Sequence, residues 1–214
     1  MNETLEKGPN MVELLPSVLL RFRENRISVI AYIRKAFQMI EVNEADRDFL
    51  QFLWWEDPET RKVKVFRHRR VVFGVNCSPF LLAAVLELHL KSAGDEKVAI
   101  AEKLLKSLYV DNCASSVATY DEFEEFREQA TQIMADAKFE LRGWECTLHS
   151  DGTVEQADAV QYDPPGSVPF NVNKDECTSK VLGFVWNKVE DTLLCEIPVL
   201  EMKEDKVTKR GILS

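Results

Sequence analysis

The chain has 214 residues, of which 45% are hydrophobic and 29% are charged, and its formal net charge at pH 7 is −9. This length and composition are typical of a soluble globular protein with one sizeable core, and they exclude global disorder. No apolar run approaches the ~20 residues of a membrane span, and the first residues contain no apolar signal segment. Taken alone, the negative charge argues against a nucleic-acid partner.

The five cysteines are odd in number, widely spaced and without a C-x-x-C pair. This pattern predicts reduced, mostly buried thiols rather than a disulfide or zinc framework, and it indicates an intracellular, cytoplasmic protein. The three histidines are scattered and form no ligand pattern. We expect His89 to pack at the edge of the core rather than to bind a metal.

Periodicity and turn signals predict a mixture of strands and helices. The predicted strands are, in chain order, residues 27–33, 49–55, 62–67, 108–111, 113–117, 141–148, 181–186 and 192–198. The predicted helices begin near Pro16, at Ser78, at Gly94 and at Thr119. Residues 151–176, rich in Asp, Pro, Gly and Gln, are expected to form a flexible or inserted connection.

Two of the helices have specific start signals. Ser78 is predicted as an N-cap with Pro79 at the first helical position, and Thr119 with Glu122 has the spacing of a capping box. The expected core stripe of the first of these helices is Leu82, Val85, Leu86 and His89. The expected apolar face of the second is Phe123, Phe126, Ala130, Ile133 and Ala137.

With the hairpin at 49–67 treated as an insertion and the helix at Gly94 set aside, the order is strand, helix, hairpin, helix, strand. This order predicts an α+β protein with a split β-α-β, ferredoxin-like core, in which the helices cover one face of an antiparallel sheet. Residues 27–33 and 108–111 are then the central strands, and the end of the first lies beside the turn at Asp111-Asn112. Both turn residues tolerate positive φ. The Asp111 carboxylate is either a divalent-metal ligand at the exposed end of a buried hairpin or only part of the turn.

Residues 61–70 form a basic segment with interleaved apolar side chains. In an extended chain, alternation sends Val63 and Val65 inward and Lys62 and Lys64 outward, which favours a ribbon that faces phosphates. The alternative interpretation, a solvated rim of a hairpin, agrees equally well with the sequence. The cations of this segment are Arg61, Lys62, Lys64, Arg67, Arg69 and Arg70.

An ordered set of motifs along the chain resembles the palm of reverse transcriptases from Bel/Pao-type LTR retrotransposon polyproteins. Two of them read Val72-Phe73-Gly74-Val75-Asn76-Cys77-Ser78-Pro79-Phe80 and Tyr109-Val110-Asp111-Asn112. The others are residues 6–16, 20–23, 34–37, 46–49 with 52–55, 181–183 and 208–210. The resemblance implies a palm with part of the fingers at 1–150, a flexible connection at 151–178, and a terminal hairpin at 179–214 that leads toward the thumb.

The resemblance also implies roles for individual residues. Asp111 matches a metal-binding aspartate of a polymerase that uses Mg²⁺ or Mn²⁺, whereas Asn112 and Tyr32 stand where the family has its other two catalytic aspartates. The positions implied to bind the incoming nucleotide are Phe37, Phe73, Gly74 and Tyr109, and the turn near the primer end is Leu182-Gly183. The implied partners are an RNA or DNA primer–template, deoxynucleotides and the rest of the polyprotein.

The two departures from the family pattern bear on activity. A neutral phenol cannot replace a carboxylate, and the amide of Asn112 offers only a neutral oxygen. Our hypothesis is therefore a reverse transcriptase fragment whose two-metal chemistry is impaired, with Asp46 and Asp48 unable to substitute for the missing acid. The alternative is a non-catalytic module that binds nucleic acid or a protein through the retained scaffold.

Overall fold

A computed structural model describes residues 5–148 and 177–195 of the chain. The chain divides into two compact units, Met1–Cys146 and Thr147–Ser214. No helix within the described ranges is long and apolar enough to cross a membrane. Most of the predicted connection at 151–178 and the motif at 208–210 lie outside the described residues.

The described residues of the first unit form four α-helices and six strands. The helices are α1 (Leu15–Phe22), α2 (Ser78–Lys91), α3 (Val98–Ser107) and α4 (Tyr120–Asp136). The strands are β1 (Ile27–Ile33), β2 (Gln51–Asp57), β3 (Lys62–Arg67), β4 (Leu108–Tyr109), β5 (Asn112–Val117) and β6 (Leu141–Cys146). Short 3₁₀ helices cover Met11–Leu14, Ala36–Met39, Glu44–Leu50 and Asp95–Lys97.

The main sheet has the strand order β4-β5-β1-β6, and all three pairings are antiparallel. With α2 and α3 between β1 and β4, and α4 between β5 and β6, this is the split β-α-β arrangement, so the predicted α+β class is confirmed. The prediction that residues 108–111 form a central strand is wrong. The central position belongs to β5, whose small side chains are buried, while the two-residue β4 lies at the edge.

The core lies between the sheet and the helices α2, α3 and α4. Alternate residues of β1 face it, namely Ile27, Val29, Ala31 and Ile33. In α2 the buried apolar residues are Leu82, Leu86 and Leu90, so the prediction is confirmed for Leu82 and Leu86 and wrong for Val85, which is exposed. The imidazole Nε2 of His89 lies 2.7 Å from the carbonyl oxygen of Ile133, at the edge of the core as expected.

The two predicted helix starts have different outcomes. The Thr119 hydroxyl oxygen accepts a hydrogen bond from the Glu122 N–H at 3.2 Å, and the Glu122 carboxylate accepts one from the Ala118 N–H at 2.9 Å. The capping box is thus confirmed, with its second bond one residue earlier than usual. Ser78 is not an N-cap, because it is the first residue of α2 and its hydroxyl donates to the Val72 carbonyl oxygen at 2.7 Å.

The hairpin of β2 and β3 is antiparallel, as predicted, but β2 begins at Gln51 because residues 44–50 form a 3₁₀ helix. Every residue of β3 is exposed, and so is every residue of β2 except Asp57. The predicted inward orientation of Val63 and Val65 is therefore wrong. Among the described residues of the first unit, no helix or further strand covers either face of this hairpin.

The second unit contains a three-stranded antiparallel sheet of β7 (Thr178–Val181), β8 (Phe184–Asn187) and β9 (Thr192–Leu194). The single strand predicted at 181–186 is interrupted by a two-residue turn, Leu182-Gly183, in which both residues have positive φ, 50° and 90°. Such a turn matches the twist of a β-hairpin. Trp186 is fully buried, and its indole N–H donates to Asp191 Oδ1 at 2.8 Å.

All five cysteines are free, but only Cys113 is buried, which corrects the expectation that most of the thiols are buried. Burial in the sheet raises the pKa of the Cys113 thiol from 9.0 to about 12, because the thiolate would lose its hydration.

Candidate functional site

The β4–β5 turn and the end of β1 bring together the three positions implied to be catalytic. Val110 and Asp111 are the two loop residues, and Asn112 is the first residue of β5. Tyr32 lies directly opposite Asn112, and the Ile33 N–H donates to the Asp111 carbonyl oxygen at 2.7 Å. The expectation that the end of the first strand lies beside the Asp111 turn is confirmed.

The backbone strain of this turn is in Val110, which has φ 55°, rather than in Asp111 or Asn112. A two-residue hairpin loop requires positive φ at its first position, and here a β-branched residue occupies it. Such a conformation costs about 1–2 kcal/mol for a residue with a Cβ atom. The pairs Leu108–Cys113 and Tyr109–Asn112 on both sides hold the loop in this geometry.

The phenol of Tyr32 occupies the sheet face next to the turn. The register between β1 and β6 shifts between Ile30 and Tyr32, and Tyr32 pairs with Arg142. The next residue, Gly143, has φ 63°, and a Cβ atom built there would overlap the Tyr32 ring. The side chain of Tyr32 is 47% exposed, so the ring covers Gly143 on one side and faces solvent on the other.

The oxygen donors at this site do not fit a pair of divalent ions. Asp111 supplies the one carboxylate, and its Oδ1 accepts a hydrogen bond from Asn112 Nδ2 at 3.0 Å, which leaves the amide oxygen as a neutral donor. No group of three or more His, Cys, Asp or Glu side chains within the described residues could hold a metal ion. A two-metal site requires several carboxylates around ions about 4 Å apart.

Asp46 and Asp48, the other acids considered for this role, lie in the 3₁₀ helix of residues 44–50. Arg67 donates a hydrogen bond to the Asp48 carboxylate at 2.9 Å, and this bond lowers the pKa of Asp48 below its ordinary value. Asp48 is thus bound to the β2–β3 hairpin.

Two of the four residues implied to bind a nucleotide are in contact. The rings of Phe37 and Phe73 meet edge to face, with centroids 4.8 Å apart and planes at 86°. Phe37 is 5% exposed and belongs to the core, whereas Phe73 is 69% exposed. Gly74 follows with φ 82° and open space beside its Cα atom, and Tyr109 lies half-buried in β4, opposite Asn112.

The cations of residues 61–70 are largely paired with carboxylates. Glu56 binds both Lys62 and Lys64, at 2.6 and 3.1 Å, and these hydrogen bonds lower the pKa of Glu56. Arg67 pairs with Asp48, Arg69 lies 3.9 Å from a Glu41 oxygen, and Arg70 donates to the Met39 carbonyl oxygen. Arg61, in the β2–β3 turn with φ 53°, has no such partner among the described residues.

The charge of the hairpin and its flanks is balanced. Residues 41–70 contain seven acids (Glu41, Glu44, Asp46, Asp48, Glu56, Asp57, Glu59) and seven bases (Arg47, Arg61, Lys62, Lys64, Arg67, Arg69, Arg70). The solvated rim, rather than a ribbon of free cations, is therefore the better description. The register explains the pairing of the lysines, since Trp54 lies opposite Lys64 and Asp57 opposite Lys62, which brings Glu56 beside both.

Two contributors to the site were missed from the sequence. A glycine inside a strand pattern, such as Gly143, indicates a bulge or a site where another group comes close to the backbone. Here the group close to the backbone is the Tyr32 ring. The positive φ of Val110 had no signal, because valine is disfavoured in that conformation. The other turn of interest, Leu182-Gly183, belongs to the second unit.

Comparisons with known proteins find similarity at the level of structure. No protein-family model matches the chain, and no curated protein matches it. Among solved structures, a foamy viral protease-reverse transcriptase in complex with an RNA/DNA hybrid matches with a TM-score of 0.55 and 16% sequence identity over 91% of this chain. The chain spans about a fifth of the length of that protein (20%). The chain therefore has a reverse transcriptase-like fold.

Proposed function

We propose that this chain is a reverse transcriptase fragment of a Bel/Pao-type retrotransposon polyprotein, in which template-directed DNA synthesis is impaired. The observation that carries the proposal is the pairing of Tyr32 with Asn112 beside the Asp111 turn. The sheet brings the three positions together as a palm would, yet only one of the three is a carboxylate. In this proposal the scaffold is kept, while two of the three carboxylates that would bind the metal ions are replaced by Tyr32 and Asn112.

The proposed partners are an RNA or DNA primer–template, deoxynucleotides and the remainder of the polyprotein. The similarity to a foamy viral enzyme that binds an RNA/DNA hybrid supports the nucleic-acid partner. Phe73 and Gly74 are the proposed contacts for the nucleotide, since both are open to solvent, and Phe37 supports Phe73 from the core. The proposal includes a cytoplasmic, reducing location, in keeping with the five free cysteines.

In an active relative, two Mg²⁺ or Mn²⁺ ions would activate the primer hydroxyl and stabilise the leaving pyrophosphate. In this chain Asp111 and the amide of Asn112 can hold at most a single, weakly bound ion, because a neutral amide and a phenol replace two anionic ligands.

The test is primer extension on an RNA template with Mg²⁺ or Mn²⁺. It compares the parent chain with the double variant Tyr32→Asp, Asn112→Asp and with a triple variant that also carries Asp111→Asn. We expect extension by the double variant alone. Extension by the parent at the rate of active relatives would refute the impairment, and failure of the double variant to extend would show that more than these two substitutions is missing.

A second candidate function is a non-catalytic binding module, which the exposed β2–β3 hairpin favours. Both faces of this hairpin carry large exposed apolar side chains, namely Leu53, Trp54, Trp55, Val63 and Val65. Contiguous exposed apolar patches of this kind mark interaction sites. Because the neighbouring cations are paired, the hairpin suits a protein partner or stacked bases better than a phosphate backbone.

Salt-dependent binding of a primer–template without any dependence on divalent ions would support the second candidate. Glu56→Gln frees Lys62 and Lys64, so it should steepen the salt dependence if the hairpin binds nucleic acid. Glu59→Gln, in the neighbouring turn, removes the same charge without freeing a lysine and is the matched control. Equal salt dependence of the two variants would exclude the hairpin as a nucleic-acid contact.

A further inference from the structure

A polar cavity of about 400 Å³ lies between α1, α3 and β5, away from the β4–β5 turn. Its walls include Arg21 and Glu24 from α1 and the loop after it, Glu102, Lys103 and Lys106 from α3, and Ser115 from β5. Ser115 is four residues beyond Asp111 along the strand, or about 13 Å. The cavity therefore shares no residue with the site described above, and its size is within the range of small-molecule pockets.

The Ser115 hydroxyl is the feature of this cavity that points to a ligand. Ser115 is 2% exposed, and its side chain forms no hydrogen bond with any other described residue. The two other serines of the wall are satisfied, since Ser116 donates to the Arg21 carbonyl oxygen at 2.6 Å and Ser107 to the Lys103 carbonyl oxygen at 2.7 Å. Because Ser115 lines the cavity and its hydroxyl has no partner among the described residues, the hydroxyl is open to a bound molecule.

The cations of the cavity also differ in whether they have partners. Lys106 pairs with Glu102 at 3.8 Å, and Arg21 donates to the Lys106 carbonyl oxygen at 3.1 Å. Lys103 forms no ion pair in the part of the chain that the structure describes, and its ammonium lies 5.1 Å from the centre of the Phe126 ring. Partial burial lowers the pKa of Lys103, and the charges of Glu122 and Glu24, both beyond ion-pair distance, oppose this shift.

We propose that this cavity binds a small phosphomonoester, with the phosphate held by the Lys103 ammonium and the Ser115 hydroxyl. Three cations against two carboxylates leave the walls with an excess positive charge for an anion. The volume exceeds that of a phosphate ion alone, and Glu24 offers a carboxylate that can accept hydrogen bonds from sugar hydroxyls. A sugar phosphate and a nucleoside monophosphate both have this chemistry.

The experiment titrates the full chain with four probes, inorganic phosphate, ribose 5-phosphate, AMP and adenosine, and follows backbone amide chemical shifts. We expect saturable shifts at Lys103 and Ser115 with the two phosphomonoesters, weaker binding of inorganic phosphate, and none with adenosine. The relative affinity of ribose 5-phosphate and AMP identifies the source of the ester. Absence of saturable shifts with both esters at millimolar concentration, or equal binding of adenosine, would overturn the proposal.

Variants separate the proposed site from non-specific binding to cations. Lys103→Met keeps the apolar stem and should weaken binding about tenfold, as for the loss of one charged hydrogen bond. Ser115→Ala should weaken binding severalfold without lowering the melting temperature, because the hydroxyl has no partner in the free chain. Lys97→Met, a lysine outside the cavity that pairs with Asp136, should bind as the parent does. Unchanged binding by Lys103→Met would refute the assignment, as would a lower melting temperature of Ser115→Ala.

Discussion

Replacing Asn112 by aspartate tests whether the β4–β5 turn lacks metal-binding charge. The substitution removes the hydrogen bond from Asn112 Nδ2 to Asp111 Oδ1, at 3.0 Å, and puts a second carboxylate in its place. Loss of such a bond costs about 1 kcal/mol. Two unit charges 4 Å apart repel by about 1 kcal/mol in water and about 4 kcal/mol near a protein surface, and both residues are half-buried.

We therefore expect Asn112→Asp to lower the free energy of unfolding by about 2–5 kcal/mol at low salt. For a chain of this size that loss corresponds to a fall in melting temperature of about 4–20 °C. Salt should restore part of it by screening, and Mn²⁺ should restore more, because an ion that binds only the folded state stabilises it. The assay is thermal unfolding followed by circular dichroism, at low salt, at high salt and across a Mn²⁺ titration.

Asn112→Ala is the control, since it removes the hydrogen bond without adding charge. It should lose about 1 kcal/mol and respond to neither salt nor Mn²⁺. If Mn²⁺ stabilises the parent chain as much as the aspartate variant, the turn already holds a metal ion and our account of the donor set is wrong. An aspartate variant as stable as the parent at low salt would show that the two side chains are fully hydrated.

Three further substitutions test other parts of the structure. Gly143→Ala should lower the free energy of unfolding by about 3 kcal/mol, because the φ of this residue is 63° and the new Cβ atom overlaps the Tyr32 ring. In a Tyr32→Ala background the loss should fall to about 1 kcal/mol. Equal losses in the two backgrounds of this double-mutant cycle would exclude the contact. Leu182→Asn should stabilise the β7–β8 hairpin by about 0.5–1 kcal/mol, since asparagine tolerates the φ of 50°, and unchanged amide hydrogen exchange there would contradict it. The buried thiol of Cys113, with its pKa raised from 9.0 to about 12, binds its proton more tightly in the folded state than in the unfolded state. Its contribution to stability is complete below pH 9 and falls by about 1.4 kcal/mol per pH unit as the pH rises to 12. Cys113→Ala should abolish this loss, which alkaline denaturation measures.

Local sequence signals predicted the elements that depend only on residues close together in the chain. The β-branched run of residues 27–33 coincides with β1, and the helix that Thr119 caps has the expected apolar face up to Ile133. Strand pairing across a short loop was also predictable, as for β2 with β3, because loop length and alternation restrict the register.

Exposure of the β2–β3 hairpin could not be predicted in the same way. Alternation of Val63 and Val65 with lysines indicates two different faces, but it does not say whether another element covers either of them. The pairing of Lys62 and Lys64 with Glu56 depends on the register shift between Trp55 and Asp57, which alternation does not predict. The sequence therefore overstated the free positive charge of this segment.

The sequence by itself determined which residues occupy the positions that the resemblance implies to be catalytic: a tyrosine, one aspartate and an asparagine, with the chemistry of their side chains. Only the tertiary structure decided that β5, not β4, lies beside β1, and so set Tyr32 directly opposite Asn112. It also decided that Val110 carries the positive φ and that the Tyr32 ring covers Gly143. These features arise from packing and register between segments far apart in the chain, which local propensity does not encode.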